Sequence, residues 1–162
     1  MQTEHGIEPV FDTGSNILIL GSFPSVRSRE QGFFYGHPRN RFWKVIAAAT
    51  GSEVPETIEE KKRLLLEKHI AVWDVIARCD IHGSSDASIK NVEPNDIGLI
   101  LNTARIRGIF CNGTKSFELY EKYIEPYINI KAVKLPSTSP ANAAWNLERL
   151  TAKWKEELQL QN

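Results

Sequence analysis

Four short apolar runs constrain the fold of this 162-residue chain more than any other feature. Each run leads into a polar or turn-forming group, and segments of helical composition separate one run from the next. Short continuous apolar runs of this kind are typical of strands buried on both faces of a parallel sheet. The predicted strands are Ile17–Leu20, Ile70–Ile76, Arg107–Cys111 and Ile130–Leu135.

The segments around these strands predict helices. Strands that alternate with helices imply right-handed crossovers and a parallel sheet covered on both faces. We therefore expect an α/β protein with three α/β/α layers, a four-stranded parallel sheet and a single domain over residues 1–162. The predicted helices are Asn40–Thr50 with Asn40 as its N-cap, Thr57–His69, Pro94–Thr103, Thr114–Tyr127 and Ala141–Leu160, and Gly83–Lys90 is expected to be a loop.

Composition argues against several classes of protein. No apolar run approaches the roughly 20 residues of a membrane span, and the acidic first fifteen residues do not resemble a signal peptide. Two cysteines without CxxC spacing and four scattered histidines argue against a disulfide framework, an iron–sulfur cluster or a metal site. We expect a cytoplasmic monomer in a reducing compartment that needs no metal and no organic cofactor.

The formal net charge is zero, but the basic residues are unevenly distributed. Between residues 21 and 44 there are four arginines and one lysine against the single acid Glu30. A local basic face on a neutral protein suits a small phosphate-binding footprint better than a broad one. Scattered surface charges are the alternative interpretation.

Polar groups follow each predicted strand, and the carboxyl ends of parallel strands share one edge, where ligands bind in such folds. The groups are the turn Gly21–Ser25, Asp74, Asn112 and the turn Pro136–Pro140. The first turn lacks the GxGxxG and GxxxxGK[ST] phosphate-binding patterns, and no GxSxG or Cys-His grouping indicates acyl transfer. Both turns contain Pro-Ser, and free backbone N–H groups near the prolines can hold a ligand oxygen or a phosphate, although ordinary turns have the same sequence.

Two separated motifs resemble the uracil-DNA glycosylase superfamily. The stretch GFFYGHPRNRFWKVI at residues 32–46 is similar to the segment after the first motif of mismatch-specific uracil-DNA glycosylases. The stretch LPSTSPANA at residues 135–143 is similar to the second motif, a Pro-Ser loop that grips the DNA backbone. The resemblance extends over roughly residues 15–155 and implies a uracil-DNA glycosylase-like domain.

The chain departs from that pattern at two catalytic positions. Phe23 stands where the mismatch-type enzymes carry the Asn that orients the attacking water, and Leu135 stands where the second motif opens with His or Asn. This combination resembles the hypoxanthine-DNA glycosylase branch, in which the Asn of the HPxNRFW stretch is taken as catalytic. The resemblance therefore implies that Asn40 orients the water, and a plain N-cap is the alternative.

The resemblance also implies roles for the other groups at the strand ends. A flipped base needs a stacking platform, hydrogen bonds to its edge and clamps on the flanking phosphates. Phe23 or Phe34 can stack on the base, the N–H groups of Ser22 and Phe23 can meet a base carbonyl, and Asp74 can accept a ring N–H. Asn112 can reach the base, and the DNA backbone would contact Ser25, Arg39, Pro136, Ser137 and Ser139.

Two of these residues also have structural interpretations. Asp74 could cap a loop or pair with Arg78, and Asn112-Gly113 is an ordinary turn sequence.

We therefore expect a monofunctional DNA glycosylase that acts on DNA containing deaminated bases, hypoxanthine first and uracil or xanthine as alternatives. The absence of the usual motif residues at Phe23 and Leu135 motivates an alternative, a noncatalytic module that binds damaged DNA or a nucleobase. A hydrolase of free nucleosides is a third hypothesis.

Overall fold

A computed structural model describes residues 2–4 and 6–159 of the chain. Its main sheet has four parallel strands, β2 (Ile17–Gly21), β3 (Ile70–Asp74), β6 (Gly108–Asn112) and β7 (Ala132–Leu135), in the order β3-β2-β6-β7. The predicted three-layer α/β fold with a four-stranded parallel sheet is confirmed. Every residue of β2 and β3 is buried, because helices cover both faces of the sheet.

Seven α-helices occur among residues 2–4 and 6–159. The first two helices flank the polar and aromatic segment at residues 32–41. The third helix begins with a capping box, in which the side chains of Thr57 and Glu60 each accept a hydrogen bond from the other residue's backbone N–H. The fifth and sixth helices divide the predicted helix 114–127 at Ile124. The helices are α1 (Val26–Gln31), α2 (Phe42–Thr50), α3 (Ile58–Glu67), α4 (Gly98–Leu101), α5 (Thr114–Tyr123), α6 (Glu125–Ile128) and α7 (Leu147–Leu158).

Helix α2 packs against α7 over one end of the sheet. Its buried residues include Phe42, whose ring lies 5.8 Å from that of Trp154 in α7, centroid to centroid. Helix α7 begins at Leu147 with Asn146 as its N-cap, so the expectation of a helix from Ala141 was wrong for residues 141–146. Leu160, the predicted last residue of that helix, lies outside the described residues.

A second, antiparallel sheet was not predicted. It consists of β1 (Gln2–Glu4), β4 (Ile76–Asp80) and β5 (Lys90–Pro94) in the order β1-β4-β5. The predicted strand Ile70–Ile76 therefore ends at Asp74, and the chain turns at Val75 into the other sheet. The predicted helix Pro94–Thr103 is shorter than expected because β5 occupies its start.

The loop between β4 and β5 contains one 3-10 turn, Asp86–Ser88, and crosses toward the carboxyl edge of the main sheet. No helix among the described residues has both the length and the apolar character required to cross a bilayer.

Candidate active site

A cavity of about 350 Å³ lies at the carboxyl edge of the main sheet. The strand register places Gly21 beside Asp74 and Asn112 beside Leu135, so the strand ends meet there. The volume is at the lower end of the roughly 300–1,000 Å³ typical of small-molecule sites, and it suits one or two fused rings. The lining residues are Gly21, Ser22, Phe23, Pro24, Ser25, Ser28, Phe34, Tyr35, His37, Asn40, Asp74, Ser84, Asp86, Asn112, Ser137, Thr138, Ser139, Pro140 and Ala141.

Gly21, Tyr35 and Asp74 form what we call the floor of the cavity. A Cβ atom on Gly21 would lie 2.5 Å from Asp74 Oδ1 and 3.0 Å from the Tyr35 hydroxyl oxygen. The first distance is shorter than a carbon–oxygen contact allows and the second is a tight contact, so the missing side chain lets these two polar groups approach the end of β2. The floor therefore depends on a glycine at position 21.

Asp74 is 3% exposed, and burial raises its pKa to about 8 because desolvation disfavours the charged carboxylate. The carboxyl group is therefore mostly protonated at neutral pH and offers an O–H donor as well as a carbonyl acceptor. Arg78, the partner considered for Asp74, instead contacts Glu93 at 2.9 Å and Glu4 at 3.7 Å. The Asn95 amide donates to the backbone carbonyl of Asp74 at 2.9 Å and anchors the end of β3.

Tyr35 is held on the floor in an unusual backbone conformation. Its φ is +53°, in the left-handed region, and its ring stacks on Phe42 with 4.0 Å between centroids. Burial and the Asp74 charge raise the pKa of Tyr35, while the nearby Asn112 amide lowers it. The phenol therefore stays neutral. Its hydroxyl is buried and makes no hydrogen bond of ordinary geometry to another described residue.

Asn40, Asn112 and Thr138 form what we call the wall of the cavity. The Thr138 hydroxyl donates to Asn40 Oδ1 at 2.8 Å, and the backbone N–H of Phe42 donates to the same oxygen at 2.9 Å. The Asn40 side chain thus caps the start of α2, although the next residue, Arg41, occupies the N-cap position. Its Nδ2 group donates to no other described residue and is the part of the amide that remains available to a ligand.

Asn112 uses both ends of its amide to hold Thr138. Its Oδ1 accepts from the backbone N–H of Thr138 at 3.0 Å, and its Nδ2 donates to the Thr138 hydroxyl at 3.0 Å. Its remaining amide hydrogen lies near the Tyr35 hydroxyl. Asn112 lines the cavity as expected, but these contacts make it a support for the wall.

Arg41 fastens the Pro-Ser loop to the start of α2. Its backbone N–H donates to the Thr138 carbonyl at 3.1 Å, and its guanidinium donates to four carbonyls of the loop. These are the carbonyls of Thr138 at 3.4 Å, Ser139 at 2.9 Å, Asn142 at 3.1 Å and Trp145. Loop carbonyls therefore surround the positive charge of Arg41, whose donors hold the loop in place.

The Pro-Ser loop itself is a series of local turns. Ser137 Oγ accepts from the N–H of Ser139 at 3.1 Å, and Ser139 Oγ accepts from the N–H of Ala141 at 3.2 Å. The Pro136 carbonyl accepts from the Trp154 indole at 2.9 Å. Each serine hydroxyl therefore keeps its proton for another acceptor at the mouth of the cavity.

The first Pro-Ser turn is built differently, since it starts a helix. Ser25 is the N-cap of α1, and its Oγ accepts from the N–H of Ser28 at 3.1 Å. Ser28 is buried, and its own hydroxyl accepts from the N–H of Gly36 at 2.8 Å. This turn thereby fixes the start of the segment that carries Tyr35.

Ser22 and Phe23 lie where the loop between β4 and β5 meets the cavity. The Ser22 hydroxyl donates to Asp86 Oδ1 at 3.1 Å, and the N–H of Val26 donates to Ser84 Oγ at 2.9 Å. Burial raises the pKa of Asp86, whereas Ser22 and Lys115 lower it. The Arg29 guanidinium lies 5.3 Å from the centroid of the Phe23 ring.

The two remaining predicted site residues differ in location. Phe34 is 2% exposed, lines the cavity and accepts a hydrogen bond from the Trp43 indole at its carbonyl. Arg39 is exposed and does not line the cavity, and only its backbone N–H has a hydrogen bond, to His37 Nδ1 at 3.1 Å.

Sequence reasoning left several cavity residues out of the predicted site, among them Tyr35, Thr138 and Asp86. Tyr35 and Thr138 belong to the motifs already quoted, so closer attention to every polar side chain in them could have found both. Asp86 belongs to the loop of the second sheet, and no pattern in the sequence connects it to the first strand. Among residues 2–4 and 6–159, no three His, Cys, Asp or Glu side chains converge as a metal site would require.

Comparisons with known proteins identify the family of this chain. The family model described as the uracil DNA glycosylase superfamily matches residues 8–159. A hypoxanthine DNA glycosylase from Methanosarcina acetivorans is 34% identical over 154 residues, which cover 94% of this chain and 96% of the relative. A hypoxanthine DNA glycosylase from Methanosarcina barkeri is 32% identical over 156 residues, with the same coverage of both chains.

A solved structure agrees as well. A solution NMR structure of a Methanosarcina acetivorans protein, described as a candidate uracil DNA glycosylase, superposes with a TM-score of 0.81 and 32% sequence identity over 96% of both chains. Sequence and fold agree over nearly the whole length. This chain therefore belongs to the uracil DNA glycosylase superfamily.

Proposed function

We propose that the protein is a DNA glycosylase that hydrolyses the N-glycosidic bond of hypoxanthine in DNA, and that uracil and xanthine are weaker substrates. The observation that carries the proposal is a cavity of base-like size, with Asp74 and Asn40 both in its lining, in a chain of this family. The two curated relatives named hypoxanthine DNA glycosylases favour hypoxanthine as the first substrate.

Recognition of the base is assigned to the floor of the cavity. Hypoxanthine carries a ring N–H next to a carbonyl, which are one donor and one acceptor side by side. A protonated Asp74 carboxyl offers the complementary acceptor and donor. Uracil and xanthine carry the same N–H and carbonyl pair, so the shape of the cavity must discriminate among the three. Phe23 and Phe34 supply the aromatic surface, and Ser22 adds a polar group beside it.

The catalytic role is assigned to Asn40. Its Oδ1 already accepts two hydrogen bonds, so the amide can offer a ligand only N–H donors. A donor weakens a water nucleophile but stabilises a base that leaves with negative charge. We therefore infer that Asn40 assists the departure of the base, and this interpretation replaces the water-orienting role that the resemblance implied.

Contacts with the DNA backbone are assigned to the two Pro-Ser turns. Ser25, Ser137 and Ser139 have hydroxyl groups at the cavity mouth, the rigid ring of Pro136 opens the second turn, and exposed Arg39 adds a charge nearby. A base inside a duplex must be flipped into such a cavity, at a cost of a few kcal/mol. No lysine lines the cavity among the described residues, so we propose hydrolysis by water without a covalent amine intermediate.

The test is base release from oligonucleotides that contain inosine, uracil or xanthosine, measured in single-turnover conditions with enzyme in excess. We expect release of hypoxanthine and an intact strand until alkali is added. Binding to the inosine duplex without release would favour the noncatalytic module, and release from free inosine alone would favour a nucleoside hydrolase. Strand cleavage without alkali would contradict the monofunctional assignment.

Asn40→Ala tests the catalytic assignment. We expect the single-turnover rate to fall by about 100- to 1,000-fold, as when a donor to a developing anion is removed. Because Asn40 also caps α2, the change should cost about 0.5–2 kcal/mol of stability.

Thr57→Ala is the matched control, since it removes the N-cap of α3 without contacting the cavity. This variant should lose similar stability and keep its rate. An Asn40→Ala protein with the full rate would exclude Asn40 from catalysis.

A further inference from the structure

We propose that Thr138 is a positioning residue whose hydroxyl fixes the orientation of the Asn40 amide, so that its N–H groups face the bound base. The inference rests on the proposed function, because it concerns how Asn40 acts in that reaction. Thr138 lies in the Pro-Ser loop but is completely buried, unlike the serines on either side of it. Its side chain therefore cannot contact a phosphate as theirs can.

The direction of each hydrogen bond through Thr138 follows from the chemistry of its neighbours. Asn112 Nδ2 can only donate, so the Thr138 oxygen accepts from it at 3.0 Å. The proton of the Thr138 hydroxyl is then free to point at Asn40 Oδ1, 2.8 Å away. The three side chains form a chain of hydrogen bonds in which every donor has one acceptor.

A second constraint acts on the same Asn40 atom. The backbone N–H of Phe42 lies 2.9 Å from it and can only donate, so the atom that faces Phe42 must be the amide oxygen. If the Asn40 amide were turned over, its NH2 group would face this N–H and the Thr138 proton. The Phe42 contact alone leaves the amide free to rotate, whereas two donors, one from the start of α2 and one from the Pro-Ser loop, fix its orientation.

The backbone of Thr138 is anchored independently of its hydroxyl. Its N–H donates to Asn112 Oδ1 at 3.0 Å, and its carbonyl accepts from the Arg41 N–H at 3.1 Å. Removal of the hydroxyl should therefore leave the loop in place and release only the Asn40 amide. A hydroxyl with a merely structural role would instead affect the loop and the stability of the fold.

The first experiment compares Thr138→Val, which keeps the shape and removes the hydroxyl, with Thr138→Ser, which keeps the hydroxyl. For Thr138→Val we expect the single-turnover release of hypoxanthine to fall by about 10- to 100-fold while affinity for the inosine duplex is unchanged. Thr138→Ser should restore the rate to within a few-fold of the wild type. A Val variant with the full rate, or a Ser variant as slow as Val, would overturn the proposal.

The second experiment repeats Thr138→Val in the Asn40→Ala background. If Thr138 acts through Asn40, the second change should lower the remaining rate by less than about twofold. An undiminished effect in that background would mean that Thr138 acts by another route. Asn112→Asp provides a further variant if the Val protein folds poorly. The new carboxylate would draw the Thr138 proton away from Asn40, and we expect the rate to fall by a similar factor.

A readout independent of activity separates this proposal from the proposed function. In isotope-labelled protein, the NMR signals of the Asn40 side-chain NH2 group should move in Thr138→Val and return in Thr138→Ser. Unmoved signals would overturn the positioning role even if the enzyme is active. Moved signals in a protein that releases no base would contradict the glycosylase function and leave the structural part of the inference supported.

Discussion

On the floor of the cavity, Asp74 and Tyr35 are held by burial and close packing, whereas on the wall, Asn40 and Thr138 are held by hydrogen bonds. The floor brings a carboxyl and a phenol together above Gly21 and shifts the pKa of both upward. The wall directs one amide through a chain of donors that ends at Asn112. Both regions line one cavity, but the protein fixes their polar groups by different physical means.

The floor and the wall are therefore sensitive to different kinds of change. Groups held by hydrogen bonds respond to the loss of a single donor or acceptor, because the partner is then left unpaired. Groups held by packing respond to added volume, and buried acids also respond to pH. Variants that change only one of these properties should therefore affect one region and spare the other.

The largest effect is expected at Arg41, which fastens the loop that carries Thr138. Arg41→Met removes the donors to four loop carbonyls, so the wall should lose its position. We expect about 2–4 kcal/mol of lost stability, because a half-buried charged group loses its hydrogen bonds to several carbonyls, and about 100-fold slower base release. Thermal unfolding and single-turnover assays measure both.

The neighbouring arginine provides the control for that change. Arg39→Met removes a charge of the same kind from an exposed side chain and should change stability by less than about 0.5 kcal/mol. Arg41→Lys keeps the positive charge but not the planar fork, so it should remain close to Arg41→Met in stability. Full stability of Arg41→Lys would mean that charge alone, and not the set of carbonyl contacts, holds the wall.

A smaller effect is expected from Gly21→Ala, which adds volume to the floor only. The new methyl would lie 2.5 Å from Asp74 Oδ1, so the carboxyl must move away from the strand end. We expect about 1–3 kcal/mol of lost stability and about 10- to 100-fold slower release of hypoxanthine.

The added change Asp74→Ala should relieve the clash and recover stability without recovering the rate. A double variant that stays as unstable as Gly21→Ala would locate the clash elsewhere, for example at Tyr35.

The sequence predicted where the floor lies better than it predicted which residues form the floor. Asp74 and Gly21 end buried apolar runs, and parallel pairing brings such ends together, so their convergence followed from periodicity and topology. Tyr35 did not follow, because its place depends on a left-handed backbone that no local pattern in this segment requires. The second sheet also did not follow, since β4 and β5 are short, half-exposed strands with no continuous apolar run.

The strand ends predicted the place of Asn112 and of the turn that contains Thr138, whereas only the family resemblance indicated a catalytic role for Asn40. A helix cap was the alternative for Asn40, and its side chain does accept a hydrogen bond at the start of α2. Thr138 looked like one of several loop hydroxyls, but it is buried and bonded to Asn40 and Arg41, about a hundred residues away along the chain. Contacts over such separations between single side chains leave no periodic signal, so the sequence could not predict them.

The smallest effect at neutral pH is expected from Asp74→Asn. This change tests whether the floor responds to pH, whereas the wall should not. The pKa of Asp74 is about 8 in the folded protein against an ordinary value of 3.8, so between these pH values Asp74 keeps a proton that the unfolded chain loses. The free energy of unfolding should therefore fall as pH rises from about 4 to about 8, then level off. In Asp74→Asn this decline should be smaller.

Base release by the wild type should also decline above pH 8. The Asn variant stays neutral, so its rate should be within a few-fold of the wild-type rate at pH 7 and should decline less above pH 8. Ionisation of the substrate affects both proteins alike, so the difference between their profiles reports on Asp74. Identical profiles would mean that the floor, like the wall, works without a titrating group.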